Sequence, residues 1–127
     1  MTVGGILTAP NTIRFRAHRG GTVHISNSRE RLRYNLIYEN VGGGYDNTTY
    51  TYTVPVAGVY YFYATMLTEF SSSFVAEICV NDINNIIERV EKGSATNLAL
   101  TKFAGQATQY CNVGDQVYVY ILLVKLV

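Results

Sequence analysis

The sequence predicts an all-β fold, a two-sheet antiparallel sandwich of the jelly-roll kind, and three observations carry that prediction. Apolar residues recur at a period of two or in short runs, and no long window repeats at 3.6 residues. Glycine, asparagine and aspartate turns punctuate the chain at roughly 8–12-residue spacing, the signature of many short strands. The composition holds eleven tyrosines and no tryptophan, and tyrosine suits half-buried strand positions where its ring packs and its hydroxyl stays wet. At 127 residues, a single domain of this size buries about two-thirds of its unfolded surface. A core therefore needs no metal or disulfide to hold it.

Element by element, Ile13, Phe15 and Ala17 alternate with Arg14 and Arg16, which reads as a strand with one wet face. Leu32, Tyr34 and Leu36 alternate with Arg31, Arg33 and Asn35 and predict a second such strand. A short segment over residues 22–25 lies between them, entered through Gly20 and Gly21. Residues 41–47 hold three consecutive glycines followed by Tyr-Asp-Asn, a dense turn signal. Strands follow over residues 50–54, ended by Pro55, and over 59–67, after an Ala57-Gly58 turn. Further strands are expected over 74–80, over 85–90 after an Asn81-Asp82 turn, over 105–111, and over 116–123 after Gly114-Asp115. Residues 95–103 give no clear signal. Residues 1–12 read as an N-terminal segment and 13–127 as the domain.

An ordered set of landmarks resembles the C1q globular-head family. Ile13-Arg14-Phe15-Arg16-Ala17 is similar to its first strand. Residues 34–46, from Tyr34-Asn35 through Asn40 and Gly42 to Tyr45-Asp46, resemble its aromatic-Asn…Asn-x-Gly-x-x-Tyr-Asp segment. Tyr52-Thr53-Val54-Pro55-Val56-Ala57-Gly58-Val59-Tyr60-Tyr61-Phe62 is similar to the signature Phe-Thr-x-Pro-x-x-Gly-x-Tyr-x-Phe. Asn81 fits a turn, and Gly114-Asp115-Gln116-Val117 fits the late Gly-Asp-x-Val. The resemblance implies a jelly roll related to tumour necrosis factor, secretion, trimeric assembly and a non-enzymatic binding role. Tyr50 stands where the family usually has glycine, and Asp82 where it has the turn glycine. The family's final strand, commonly Phe-Ser-Gly-Phe-Leu beside the first strand, has no counterpart in residues 122–127 unless Lys125 marks an improvised one. Otherwise the sheet has an open gap with unpaired backbone.

Charge is uneven although the net is +1. Six arginines and one acid, Glu30, lie within residues 1–35, against four bases and eight acids in the remainder. Arg14 and Arg16 on one face, and Arg31 and Arg33 on one face of their strand, are candidate ligands for phosphate, sulfate or carboxylate, which guanidinium forks bind bidentately. Solubilising charge on wet strand faces is the plainer reading of the same residues. Tyr60, Tyr61, Phe62 and Tyr63, with Tyr118 and Tyr120, are the expected subunit interface, because a strand with aromatics on both faces needs a core and a neighbour. Asn47-Thr48-Thr49 is an acceptor sequon for N-linked glycan.

Other chemistries find little footing. His18 and His24 have no acid or cysteine at metal-ligand spacing. Asp46 and Asp115 are expected to form turns; calcium, which some family members bind, needs about 6–8 oxygens, so no cofactor is expected. Cys79 and Cys111 lack metal spacing and are expected as free thiols. No nucleophile elbow or phosphate-cradling loop suggests an enzyme, and aromatics on alternating strand faces do not suggest nucleic-acid binding. No run reaches membrane-spanning length, and residues 1–10 lack the pattern of a signal peptide. The expected partners are other copies of the chain, as a homotrimer, and proteins, microbial surface molecules or anionic glycans. Such a role belongs to innate immunity; head-only invertebrate members are similar in lacking Gly-X-Y repeats. A structural trimerising head of a coat or matrix protein, or a cytokine-like receptor ligand, are the alternatives.

Overall fold

A computed structural model describes residues 13–19, 29–68, 73–92 and 101–124. Ten strands and no helix appear among them: β1 (Arg14–His18), β2 (Arg29–Arg31), β3 (Leu36–Val41), β4 (Tyr45–Asp46), β5 (Thr51–Thr53), β6 (Gly58–Thr68), β7 (Ser73–Val80), β8 (Asp82–Lys92), β9 (Thr101–Cys111) and β10 (Gln116–Val124). One sheet is six-stranded in the order β4-β5-β10-β7-β8, with β2 also on β10. Opposite it stand two separate antiparallel ladders, β1 with β3 and β6 with β9. All pairings are antiparallel, and the all-β sandwich expected from the alternation is what the chain forms.

The alternation dictates which side chains meet. In β6, Phe62 and Ala64 are buried while Val59, Tyr61 and Tyr63 face solvent. In β10, Val117 and Ile121 join Ala76, Ile78 and Val80 of β7 in the core. Tyr52 sits at the centre, 1% exposed. Its ring stacks on Phe15 at 4.2 Å and meets Tyr60 and Phe62 edge-on at 6.1 and 6.4 Å. Each such pair adds about 0.5–1.5 kcal/mol beyond its area burial, so this one ring ties both ladders to the large sheet.

The second predicted strand does not exist as one unit. Arg31 pairs with Tyr120 in the large sheet, whereas Leu36 pairs with His18 in the β1–β3 ladder. Residues 32–35 between them are not strand. They carry the chain from one sheet to the other, with Leu32 N–H still donating to Val119 O (2.9 Å). A period of two persists across such a crossing, because an extended connector also alternates its side chains. The segment at residues 22–25 and the possible strand at Lys125 lie outside the described residues.

The turns have specific causes. Gly42, Gly43 and Gly114 take φ values of 96°, 70° and 91°, a region open to glycine without penalty. Gly44 is needed for space: an added Cβ would come within 2.6 Å of Thr53 O and of the Tyr52 ring. Gly58 needs neither, since nothing lies within 4 Å of such a Cβ and its φ is not positive. The tight turn expected of Gly58 is therefore not what fixes the start of β6. Pro55, which has no N–H to give a ladder, sits in the break between β5 and β6.

Candidate functional site

The two ladders present one common outer face. Phe15 and Phe62 both turn inward to Tyr52. Their strand neighbours Arg14 and Arg16 on β1, and Tyr61 and Tyr63 on β6, therefore point outward on the same side of the sandwich. On β6 and β9 this face carries Val59, Tyr61, Tyr63 and Tyr110, which are 70%, 63%, 55% and 57% exposed. Val59 and Tyr110 are register partners, and Tyr61 OH donates to Gln106 Oε1 (2.7 Å). On β1 and β3 the face is basic and aromatic. Arg14 Nε donates to Glu39 Oε2 at 2.9 Å, the Arg16 guanidinium lies 5.8 Å from the Tyr38 ring centroid, and His18 tilts against Tyr38 at 4.4 Å.

Arg31 and Arg33 do not join that face or each other. Arg31 lies on the outer side of the six-stranded sheet, its guanidinium 4.0 Å from the Tyr118 ring centroid. It also donates to Thr51 Oγ1 at 2.5 Å and Thr49 O at 3.4 Å. Arg33 donates to Glu30 Oε1 at 2.6 Å. Glu30 pairs with the buried Ile121 and so shares its inward side of the sheet. The shared face expected for Arg31 and Arg33 is thus divided between the two sides of β2, because the chain leaves the strand after Arg31.

The expected subunit interface is divided in the same way. Of its six residues, Tyr61 and Tyr63 stand on the exposed outer face. Tyr60 is half-buried toward the core, and Phe62 is within it. Tyr118 and Tyr120 belong to the outer side of the opposite sheet, where Tyr118 is 5% exposed. Alternation alone puts Val59 on one face with Tyr61 and Tyr63, whereas Tyr110 has no such signal; the register of β6 on β9 is what finds it.

Polar turns hold their own acids. Asp46 Oδ1 accepts from Thr48 N–H and Thr48 Oγ1 (2.8 and 2.6 Å), and these bonds, the side-chain one foremost, hold its carboxyl below the usual carboxylate range. Asp115 accepts from Asn112 N–H (2.8 Å) and Asn81 Nδ2 (3.1 Å) and is lowered by them in that order. Among the described residues no group of three or more His, Cys, Asp or Glu side chains is placed to hold a metal ion. Asn47 is exposed, with its Nδ2 donating to Asn35 O at 3.0 Å. His24 lies outside the described residues.

Both cysteines are free and buried. Burial, then the neighbouring Glu77 charge, pushes the Cys79 thiol up to about 11; burial, then Asp115, raises that of Cys111. Glu77, 5% exposed, pairs with Arg89 Nη1 at 3.4 Å across the β7–β8 ladder.

Two antiparallel layers around an apolar centre define a jelly-roll sandwich. A family model described as the C1q domain matches residues 14–123, and the chain belongs to that family. C1q domains are non-enzymatic recognition or structural domains, generally extracellular, and typically form trimers. No curated protein matches the chain. No helix among the described residues is long and apolar enough to cross a membrane.

Proposed function

We propose that this chain is a secreted C1q-type recognition domain of innate immunity that acts as a homotrimer. It binds anionic glycans, microbial surface molecules or proteins multivalently. The observation that carries the reading is the common outer face, on which Val59, Tyr61, Tyr63 and Tyr110 lie exposed on one ladder and Arg14 and Arg16 on the next. Exposed contiguous apolar surface is the usual mark of a contact with another protein. Guanidinium groups beside it suit sulfate, phosphate or carboxylate. Three weak sites on one particle gain avidity without any new contact.

Sedimentation equilibrium over a wide concentration range, paired with binding to a sulfated polysaccharide, tests it. A trimer that binds saturably, and whose Arg16→Glu variant binds weakly, supports the reading. A monomer overturns the assembly. A trimer without saturable binding leaves a structural trimerising head as the function.

A further inference from the structure

Among all the asparagines of the chain, only Asn47 is followed two residues on by a serine or threonine, in Asn47-Thr48-Thr49. Such a sequon takes an N-linked glycan where it stands on a surface turn. The fold supplies that turn. Residues 47–50 close the hairpin between β4 and β5, and Asp46, Asn47, Thr48 and Thr49 are all exposed.

Neighbouring groups hold the tip in place and leave the Asn47 amide at its surface. Asp46 makes the side-chain bonds of the turn, its Oδ1 accepting from the N–H and the hydroxyl of Thr48 (2.8 and 2.6 Å). On the other side Thr49 O accepts from the Thr51 hydroxyl (3.0 Å) and from Arg31 Nη1 (3.4 Å). Asn47 Nδ2 donates to Asn35 O at 3.0 Å. A carboxamide nitrogen carries two hydrogens, so one serves that bond and the other is left for replacement by a sugar.

We propose that Asn47 carries an N-linked glycan, an inference that rests on the secreted reading above. Nδ2 attacks C1 of an oligosaccharide held on a lipid diphosphate. The N–C1 bond forms and the C1–O bond breaks; the lipid diphosphate leaves with the electron pair, and Nδ2 gives one proton to the transferase. The site is compatible with assembly. The β4–β5 hairpin belongs to the six-stranded sheet, whereas Val59, Tyr61, Tyr63 and Tyr110 face outward from the β6–β9 ladder of the opposite layer. A bulky, solubilising group at the tip then covers the rim beside residues 32–35 and leaves the aromatic face bare.

Translation of the full chain behind a cleavable secretion leader, with and without endoplasmic-reticulum microsomes, tests the site by the mass of the product. One glycan is expected in microsomes. It should be lost in Asn47→Gln and in Thr49→Ala and kept in Thr48→Ala, because the middle position of a sequon takes any residue but proline. Absence of the glycan from the unaltered chain, or its persistence in Asn47→Gln, overturns the proposal. The chain released by its own cells is expected to carry the same glycan, with Asn47 recovered as aspartate after amidase digestion. Release without it overturns the proposal, whereas a chain that its cells never release overturns the secreted reading on which it rests. Sedimentation is expected to give the same number of subunits before and after amidase treatment; a changed number overturns the placement of the sugar clear of the aromatic face.

Discussion

The guanidinium of Arg31 lies over the ring of Tyr118, 4.0 Å from its centroid, and its fork donates to Thr51 Oγ1. The pair joins β2 and β10 on the outer side of the large sheet. Tyr118 is 5% exposed there and Cys79, its register partner on β7, is fully buried. Arginine on this strand acts as a cover for the sheet, with its stem and planar head packed down. Replacing Arg31 by Met and Tyr118 by Leu in a double-mutant cycle is expected to give a coupling of about 1 kcal/mol. Arg31→Lys should also destabilise, because an ammonium cannot reproduce the fork. Urea unfolding measures both, and additive single effects would refute the pairing.

Tyr50 takes φ 57°, a conformation that costs a non-glycine residue about 1–2 kcal/mol. Tyr50→Gly is therefore expected to stabilise the domain by about 1 kcal/mol, read as a shifted urea midpoint. Asn81 is also left-handed, at 67°, but its side chain bonds Gln116 N–H (2.8 Å) and Asp115 (3.1 Å). Asn81→Gly should destabilise, so the two glycine substitutions are expected to differ in sign.

The two faces of β6 should answer truncation differently. Phe62→Ala removes a core ring and is expected to cost about 3–5 kcal/mol. Tyr61→Ala removes an exposed one and should leave the unfolding free energy of a subunit within about 0.5 kcal/mol. Any effect of Tyr61→Glu is expected in the molar mass, measured by sedimentation. Similar unfolding losses at both positions would contradict the alternation.

Glycine-to-alanine changes separate space from conformation. Gly44→Ala drives a methyl into Thr53 O and the Tyr52 ring and is expected to cost about 1–3 kcal/mol. Gly58→Ala meets nothing within 4 Å and should be neutral or slightly stabilising by thermal unfolding.

Alkaline pH should weaken the fold. The Cys79 thiol rises from 9.0 to about 11 on folding, so the unfolded chain loses its proton first. The stability present below pH 9 then falls as pH rises toward about 11. Tyr34, Tyr45 and Tyr52 are raised as well, chiefly by burial, and act in the same direction above pH 10. Urea midpoints are expected to drop between pH 8 and 10.5, less steeply in Cys79→Ala. Thiol labelling at pH 8 should be slow until the protein unfolds.

Strands whose side chains divide cleanly between core and water were legible as sequence. Alternation in Val59-Tyr60-Tyr61-Phe62-Tyr63 and in residues 116–123 places β6 and β10 within one residue at their starts. The crossing at residues 32–35 was not legible, because periodicity records which side a residue faces and not which sheet receives it. Hence Arg31 and Arg33 seemed neighbours on a single face. β8 starts at Asp82, earlier than expected, because Asn81 makes the turn alone in a left-handed conformation. The partnership of Val59 with Tyr110 likewise lies in the pairing of two distant segments, and no local pattern contains it.

Tyr52 is where the two ladders meet the large sheet in common, while no ladder bond joins β1 to β6 among the described residues. Among the described residues, the two outer halves then share no ladder through which a mutation on one would shift the other. The basic half can change its chemistry over generations without disturbing the aromatic half. On the function proposed above, a lineage is free to exchange what it recognises and keep how it assembles.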